Sequence, residues 1–129
     1  MIAALFLLAA EAEPAINCKD PGPQMELNIC AYRDFERADA EMNVQWRRVV
    51  AAMREADKQV DRKYDQQPLH YDTLLAAQRA WLTFRDQHCT LASFEARGGS
   101  MQPMLDSGCK ADLTHERTKQ LKALVEVEN

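Results

Sequence analysis

The residue types that could do chemistry are concentrated in residues 78–89, which read QRAWLTFRDQHC. The segment ends with Asp86, His88 and Cys89, a combination that suits a thiol nucleophile, a metal site or a disulfide-bonded helix end. On a helix, side chains two positions apart point about 160° away from each other, and adjacent ones diverge by about 100°. Asp86 therefore cannot orient His88, and neither His88 nor Cys89 has a second histidine or cysteine at the i, i+3 or i, i+4 spacing of a helical metal site. We expect no catalytic residues in it.

The histidines do not indicate a catalytic or metal site either. The chain has three of them: His70 and His88 fall on the second predicted helix, 18 positions apart, and His115 falls on the third. A shared site would have to be assembled from distant parts of the chain, and a histidine that packs beside an aromatic ring or lies half exposed is the simpler interpretation. The four cysteines include no C-x-x-C pair. The sequence predicts a protein that is not an enzyme, with no cofactor and no metal ligand, and a small metal-binding protein stays open as an alternative.

Two long helices are predicted to position these residues. Residues 24–64 contain neither Pro nor Gly and carry apolar side chains on one face, which indicates a single helix that ends near residues 61–65. Pro68 then suits the first turn of a second helix over residues 69–96. The Gly98-Gly99 pair stops this helix.

A third helix is predicted over residues 109–127, after a connector formed by residues 100–108. We expect the connector to hold one helical turn, capped by Ser100. No segment alternates apolar and polar residues with period two, so no strand is predicted. The predicted fold is all-α: a long antiparallel helical hairpin with a third, C-terminal helix, crosslinked by two disulfides.

Arg85 is the unusual polar residue, because it lies in the middle of the apolar face of the second helix. A buried guanidinium without partners is strongly unfavourable. We interpret Arg85 as a structural arginine that fixes the register of the helices; a ligand-binding arginine is the alternative. Gln78 shares its face, and Arg117 on the third helix is a candidate to share its acceptors. Besides carbonyls at a helix end, the candidate acceptors on the other helices are Asp39, Asn43, Asp112 and Glu116.

The N-terminus indicates export. Residues 1–10 form an apolar run that is too short to span a bilayer, for which about 20 residues are needed. Residues 10–12 offer the small-x-small pattern that signal peptidase cuts, although a basic stretch before the apolar run is missing. We interpret residues 1–12 as a signal peptide, whose completeness stays open, and residues 13–129 as a single domain; a buried first helix is the alternative.

Four cysteines fit an oxidising compartment and predict two disulfide bonds. In an antiparallel hairpin the start of the first helix lies near the end of the second, so all four thiols gather at one end. This arrangement favours the pairs Cys18–Cys30 and Cys89–Cys109, while the other two connectivities stay open. The net charge of −4 at pH 7 argues against nucleic acid as a partner.

Several segments together resemble the LprI-type lysozyme-inhibitor family, N-terminal domain. They include the QRAWLTFRDQHC segment, Cys18, Cys109, and the motifs MELNICA at 25–31, ADAEMN at 38–43, GGS at 98–100 and LTHERTKQL at 113–121. The resemblance covers nearly the entire mature chain. It implies an exported, disulfide-bonded, all-helical domain of bacterial envelopes without known cofactor or catalytic residues, and lysozyme inhibition as a candidate activity.

The chain departs from lipid-anchored relatives, because residues 15–18, AINC, make no convincing lipobox. We therefore expect a periplasmic or secreted protein without stable membrane insertion. The predicted function is a non-catalytic envelope protein that binds another protein, with lysozyme as the candidate and occlusion of the enzyme cleft as the mechanism. Residues 19–23 and 97–106 are expected contact segments, and a structural or adaptor domain is the alternative.

Overall fold

The protein forms three α-helices, described by a computed structural model over residues 15–126. Helix α1 covers Gln24–Asp57, α2 covers His70–Ser93 and continues into a 3-10 turn at Phe94–Ala96, and α3 covers Gln102–Ala123. No strand occurs between residues 15 and 126, so the predicted all-α class is confirmed. The predicted signal segment, residues 1–12, lies outside the described residues.

Helix α1 starts directly after the Pro21-Gly22-Pro23 lead, because Pro23 holds an extended conformation just before the first turn. The carboxylate of Glu26 in this turn accepts a hydrogen bond from the Gly22 amide at 2.8 Å. A negative side chain here also suits the positive end of the helix dipole. The buried residues of α1 recur at helical spacing and form one stripe: Cys30, Ala38, Met42, Gln45 and Val49.

Helix α1 is shorter than predicted, since it ends at Asp57 and not near residues 61–65. The amides of Lys58, Gln59 and Val60 each donate to the carbonyl three residues back, which tightens the last turn and ends the helix. The linker of residues 58–69 can then fold back toward α2. Absence of Pro and Gly was therefore not sufficient to extend the helix into this segment.

Helix α3 starts earlier than predicted, at Gln102 and not at Cys109. Ser100 does not cap it; the residue before its first turn is Met101, which makes no side-chain capping bond. Pro103 fits the first turn because no intrahelical partner is needed for a backbone amide there. Gly108 lies inside the helix, so the glycine that was taken as a boundary is an interior residue, at a modest cost in helix propensity.

The helices run up, down and up. Asn28 near the start of α1 donates to the Ser100 carbonyl just before α3 at 2.9 Å, and Glu41 lies 3.8 Å from His115 further along both helices. Helices α1 and α3 are therefore parallel, and α2 runs antiparallel to both. The interface of α3 with α1 is the largest in the bundle, so the third helix completes the core instead of covering one side of a finished hairpin.

The interior changes character along the bundle. An apolar cluster of Met42, Val49, Leu74 and Leu121 is flanked by partly buried Trp46, Val50, Met53, Trp81 and Val125. Toward the other end, both disulfides form as favoured: Cys18–Cys30 and Cys89–Cys109, with Cα atoms 5.5 and 5.4 Å apart. We call this the crosslinked end, and the end with the 58–69 linker the open end. None of the helices within residues 15–126 combines the length and apolarity that a bilayer crossing requires.

Candidate functional site

Arg85 joins all three helices in the interior of the bundle. Its Nη1 donates to Thr114 Oγ1 on α3 at 3.3 Å and to Asp39 Oδ1 on α1 at 3.4 Å. Its Nε donates to Asp86 Oδ1 on its own helix at 3.0 Å. Only 8% of the Arg85 side chain is exposed, whereas the two carboxylates remain 38% and 51% exposed. The cation is thus buried, while the two carboxylates keep part of their hydration. Forming these ion pairs therefore costs less desolvation free energy than burying all three charges would.

Aromatic rings enclose the same guanidinium. Its central carbon lies 5.0 Å from the Phe35 ring centroid on α1 and 5.2 Å from the Trp81 ring centroid on α2. Both distances are within the range of cation–π attraction, which strengthens as water is excluded. Arg85 is therefore held by rings and acceptors together, and it lies at the wall of a groove between α1 and α2 that Asp39 and Gln78 also line.

The predicted acceptors are only partly correct. Asp39 accepts from Arg85, but Asn43 does not; its amide donates to the other oxygen of Asp39 at 3.4 Å and so orients that carboxylate. Glu116 pairs with Lys119 on its own helix. Asp112 makes no bond to Arg85 and faces the groove between α1 and α3.

Asp86 was missed because a helical wheel places adjacent residues about 100° apart. Arginine has a long side chain, and its Nε lies close enough to the helix surface to meet a neighbouring carboxylate. The wheel predicts directions of Cβ atoms, not the reach of flexible side chains. Asp86 therefore contacts Arg85 although the two residues are adjacent in the sequence.

Arg117, the candidate to share the acceptors of Arg85, belongs to a separate pairing. Its Nε donates to Gln78 Oε1 at 2.9 Å, and its Nη1 donates to Gln120 Oε1 at 3.1 Å. The amide nitrogen of Gln78 lies 3.5 Å from the Met42 sulfur. Burial lowers the pKa of the Arg117 guanidinium below its ordinary value. Gln78 thus bridges α3 to the buried stripe of α1.

The three histidines stay apart in the bundle. His88 stacks on Phe84 at a centroid distance of 5.2 Å, and His70 Nδ1 lies 2.8 Å from Asp57 Oδ1. His115 is near Glu41 on a different face. Within residues 15–126 no three His, Cys, Asp or Glu side chains form a group that could hold a metal ion, and each cysteine of that range is in a disulfide. The described chain therefore presents no thiol nucleophile beside a base.

Asp57 is a polar contact that the sequence reasoning did not find. It is the last residue of α1, yet its carboxylate accepts from the His70 amide at 2.7 Å and the Tyr71 amide at 3.0 Å. These are orphan amides of the first turn of α2, and Leu69 before them has no side chain that could cap. Leu69 was the available signal in the sequence. An apolar residue just before a helix cannot cap its first amides, so an acceptor from another segment is needed.

The crosslinked end presents a braced loop between α2 and α3. Gly98 has a φ of +77°, a conformation that favours glycine. Its amide donates to Gln102 Oε1 at 2.9 Å, and Gln102 in turn donates to Ser93 Oγ at 3.2 Å. Asn28 holds the Ser100 carbonyl from α1. The predicted contact segment at residues 97–106 is thus a short loop followed by the first turn of α3.

Large apolar side chains are exposed around this loop. Met25, Leu91, Phe94 and Met101 all lie at the crosslinked end with 36% or more of their surface accessible. The Arg97 guanidinium lies over the Phe94 ring at 4.2 Å from its centroid. Exposed apolar side chains beside a cation are typical of protein-binding surfaces.

Two of the comparisons with known proteins found similar sequences. The sequence model of the family described as Lysozyme inhibitor LprI matches residues 17–121, which include all four cysteines and the Arg85 contacts. An uncharacterized protein of Rhizobium meliloti (strain 1021) is 50% identical over 117 residues, covering 88% of this chain and 82% of that protein. No solved structure matches significantly. Because the family match spans most of the chain, the protein belongs to the LprI lysozyme-inhibitor family.

Proposed function

We propose that the protein is an exported inhibitor that binds lysozyme and occludes its substrate cleft with the crosslinked end of the bundle. The observation that carries this proposal is the family match over residues 17–121, which covers α1, α2, most of α3 and both disulfides. Membership of an inhibitor family supports binding to another protein in preference to catalysis. The choice of lysozyme and of the crosslinked end is our inference.

Preorganisation favours the crosslinked end as the binding surface. A loop that is already held in its bound shape loses little conformational entropy on association. The loop of residues 97–101 is fixed by bonds to Asn28 and to Gln102, which is itself bonded to Ser93, and the Cys89–Cys109 disulfide ties the two helices that the loop connects. The open end has no crosslink, and its linker carries mostly exposed residues.

The loop also has a shape and charge that suit a glycosidase cleft. Gly98 and Gly99 lack side chains, so the tip is narrow, and Arg97 places a positive charge beside it. A glycosidase cleft contains a pair of carboxylic side chains that flank the scissile bond. A cation that approaches these groups would gain charge-assisted hydrogen bonds in a water-poor site. The net charge of −4 for the whole chain would in addition speed its encounter with a basic enzyme.

Two disulfides support an exported location, in the periplasm or outside the cell. Such bonds persist in oxidising compartments, whereas the cytosol keeps thiols reduced. Cys18–Cys30 ties the N-terminal lead to α1, and Cys89–Cys109 ties α2 to α3. Both disulfides therefore favour an oxidising compartment outside the cytosol, which is where the protein would meet lysozyme.

A lysis assay tests the proposal. Purified oxidised protein is titrated against lysozyme acting on a suspension of cell walls, and the decrease in turbidity is followed. We expect inhibition that saturates near one inhibitor per enzyme, and loss of inhibition in a sample that has been reduced and alkylated. Full lysozyme activity in the presence of a folded, several-fold excess of oxidised protein would refute the proposed activity.

A further inference from the structure

A cleft at the open end of the bundle is separate from the proposed lysozyme-binding surface. It has a volume of about 480 Å³, within the usual size range of small-molecule sites. Its walls come from all three helices and the linker, with an apolar floor made by Met53, Val60, Leu74, Ala77 and Leu124. The crosslinked loop lies at the opposite end of α2 and α3, so the two surfaces can act independently.

Arg117 gives this cleft a positive charge. The residue lines the cleft, and its guanidinium donates only to the neutral amide oxygens of Gln78 and Gln120. Among residues 15–126 no carboxylate lies within 4 Å of it, whereas Arg85 has two such partners. Burial lowers its pKa, and no charged neighbour offsets that effect. A partly buried cation without an anion is an incomplete arrangement, and an anionic ligand would stabilise it.

The acidic groups near the cleft make no ion pair with Arg117. Asp65 lines the cleft from the linker, but its Oδ1 accepts from the Gln67 amide at 2.9 Å. His70, also on the rim, is bonded to Asp57. Neither neighbour is bonded to Arg117, so its guanidinium keeps an unpaired positive charge at the helical wall of the cleft, while the Asp65 carboxylate lies on the linker side.

We propose that this cleft binds a single-chain amphiphilic carboxylate of the fatty-acid class. The acyl chain would lie on the apolar floor, and the carboxylate would pair with the N–H groups of Arg117. Apolar walls with one charged group at the edge are the usual design of sites for such ligands, because burial supplies affinity and the charge fixes orientation. The inference does not depend on lysozyme binding.

Dodecanoate below its micelle concentration is the probe, and tryptophan fluorescence is the readout. Trp81 reports directly, since the Arg117 guanidinium lies 5.9 Å from its ring centroid; Trp46 is replaced by Phe to isolate its signal. We expect saturable binding of dodecanoate and at least about tenfold weaker binding of dodecyltrimethylammonium, which has the same chain and the opposite charge.

Two substitutions, with one matched control, test whether dodecanoate binds in the cleft. Ala77→Phe fills the cleft from an exposed helical position, and Ala76→Phe is the matched control because Ala76 is equally exposed and does not line it. We expect Ala77→Phe and Arg117→Gln each to weaken dodecanoate binding at least about tenfold, with the helical circular dichroism signal kept, and Ala76→Phe to leave it unchanged. Absence of saturable binding, equal binding of the cationic probe, or unchanged affinity in Ala77→Phe would each overturn the proposal.

Discussion

Arg85 on α2 donates a hydrogen bond to Thr114 on α3 at 3.3 Å, and both side chains are buried. Thr114 has no accessible surface, so its hydroxyl has no water to bond in place of the guanidinium. With Asp39 completing the set from α1, one cation connects the three helices at a level where the apolar cluster gives way to the crosslinked end. We infer that this contact fixes the register of the three helices along the bundle axis.

Replacing Arg85 with methionine should destabilise the protein by about 2–4 kcal/mol. Methionine keeps much of the volume but leaves the Thr114 hydroxyl buried without its donor. Asp39 and Asp86 are partly exposed and can rehydrate, so the loss should be smaller than for a fully buried ion pair. Urea unfolding of the oxidised protein measures the change.

Arg48→Met is the matched control for this substitution. Arg48 is exposed on α1, and the same change there should alter the free energy of unfolding by no more than about 0.5 kcal/mol. If Arg85→Met unfolds at the same urea concentration as this control, the guanidinium is not a structural element of the bundle.

The two disulfides should contribute unequally to the free energy of unfolding. Each closes a loop of modest length, with separations of 12 and 20 residues, for which the chain-entropy model gives about 3 kcal/mol. Cys89 is completely buried, whereas Cys18 is exposed, so alanine at the second pair also leaves a cavity. We expect Cys89→Ala/Cys109→Ala to lower the urea midpoint more than Cys18→Ala/Cys30→Ala. The reverse order would contradict the burial argument.

Asp57 should make the junction between α1 and α2 sensitive to acid. Burial raises the pKa of this carboxyl, but hydrogen bonds from the Tyr71 and His70 amides and from the His70 ring outweigh that effect, so the pKa lies below its ordinary value of 3.8. The depressed pKa stabilises the fold at pH values above 3.8, and this contribution is lost as the pH falls through the folded-state pKa.

The variant Asp57→Asn tests this linkage, because asparagine resembles the protonated acid in size and charge. We expect the variant to be less stable than the native protein at pH 6, and the gap between their urea midpoints to shrink steadily below about pH 4. A gap that stays constant down to pH 2.5 would show that the charge of Asp57 does not contribute.

Arg97 is the residue of the crosslinked loop on which the occlusion proposal depends most. Arg97→Glu should reduce inhibition of lysozyme at least about tenfold, since an acidic side chain would face the catalytic carboxylates. The control Arg48→Glu makes the same charge change away from the loop and should leave inhibition within about twofold. Equal inhibition by both variants would place the contact on another surface.

The sequence predicted those features that depend on local rules. The apolar stripe around Met42 and Val49, the break at Pro68 and the glycine stop after α2 are read from helical spacing and backbone preference, and the antiparallel hairpin then led to the disulfide pairs. The predicted fold class is confirmed on this basis. The predicted end of α1 and start of α3 were wrong, because both depend on contacts between segments.

Contacts between segments and side-chain flexibility also explain why the bonds of Asp57 and Asp86 were not predicted from the sequence. Asp57 caps a helix that begins 13 positions later, and no local pattern announces such a bond. Asp86 reaches Arg85 through side-chain flexibility that a helical wheel ignores. Gly108, the last residue of the predicted connector, lies inside α3, because packing of α3 against α1 outweighs the weak helix propensity of glycine.

The most direct test of the account is a calorimetric titration of lysozyme with the oxidised protein, in the presence and absence of a chito-oligosaccharide that fills the enzyme cleft. Occlusion predicts binding near one to one that weakens in proportion to saccharide occupancy, because both ligands need the same site. Binding that the saccharide leaves unchanged, or no binding by the folded protein, would contradict the proposal that the crosslinked end closes the cleft of lysozyme.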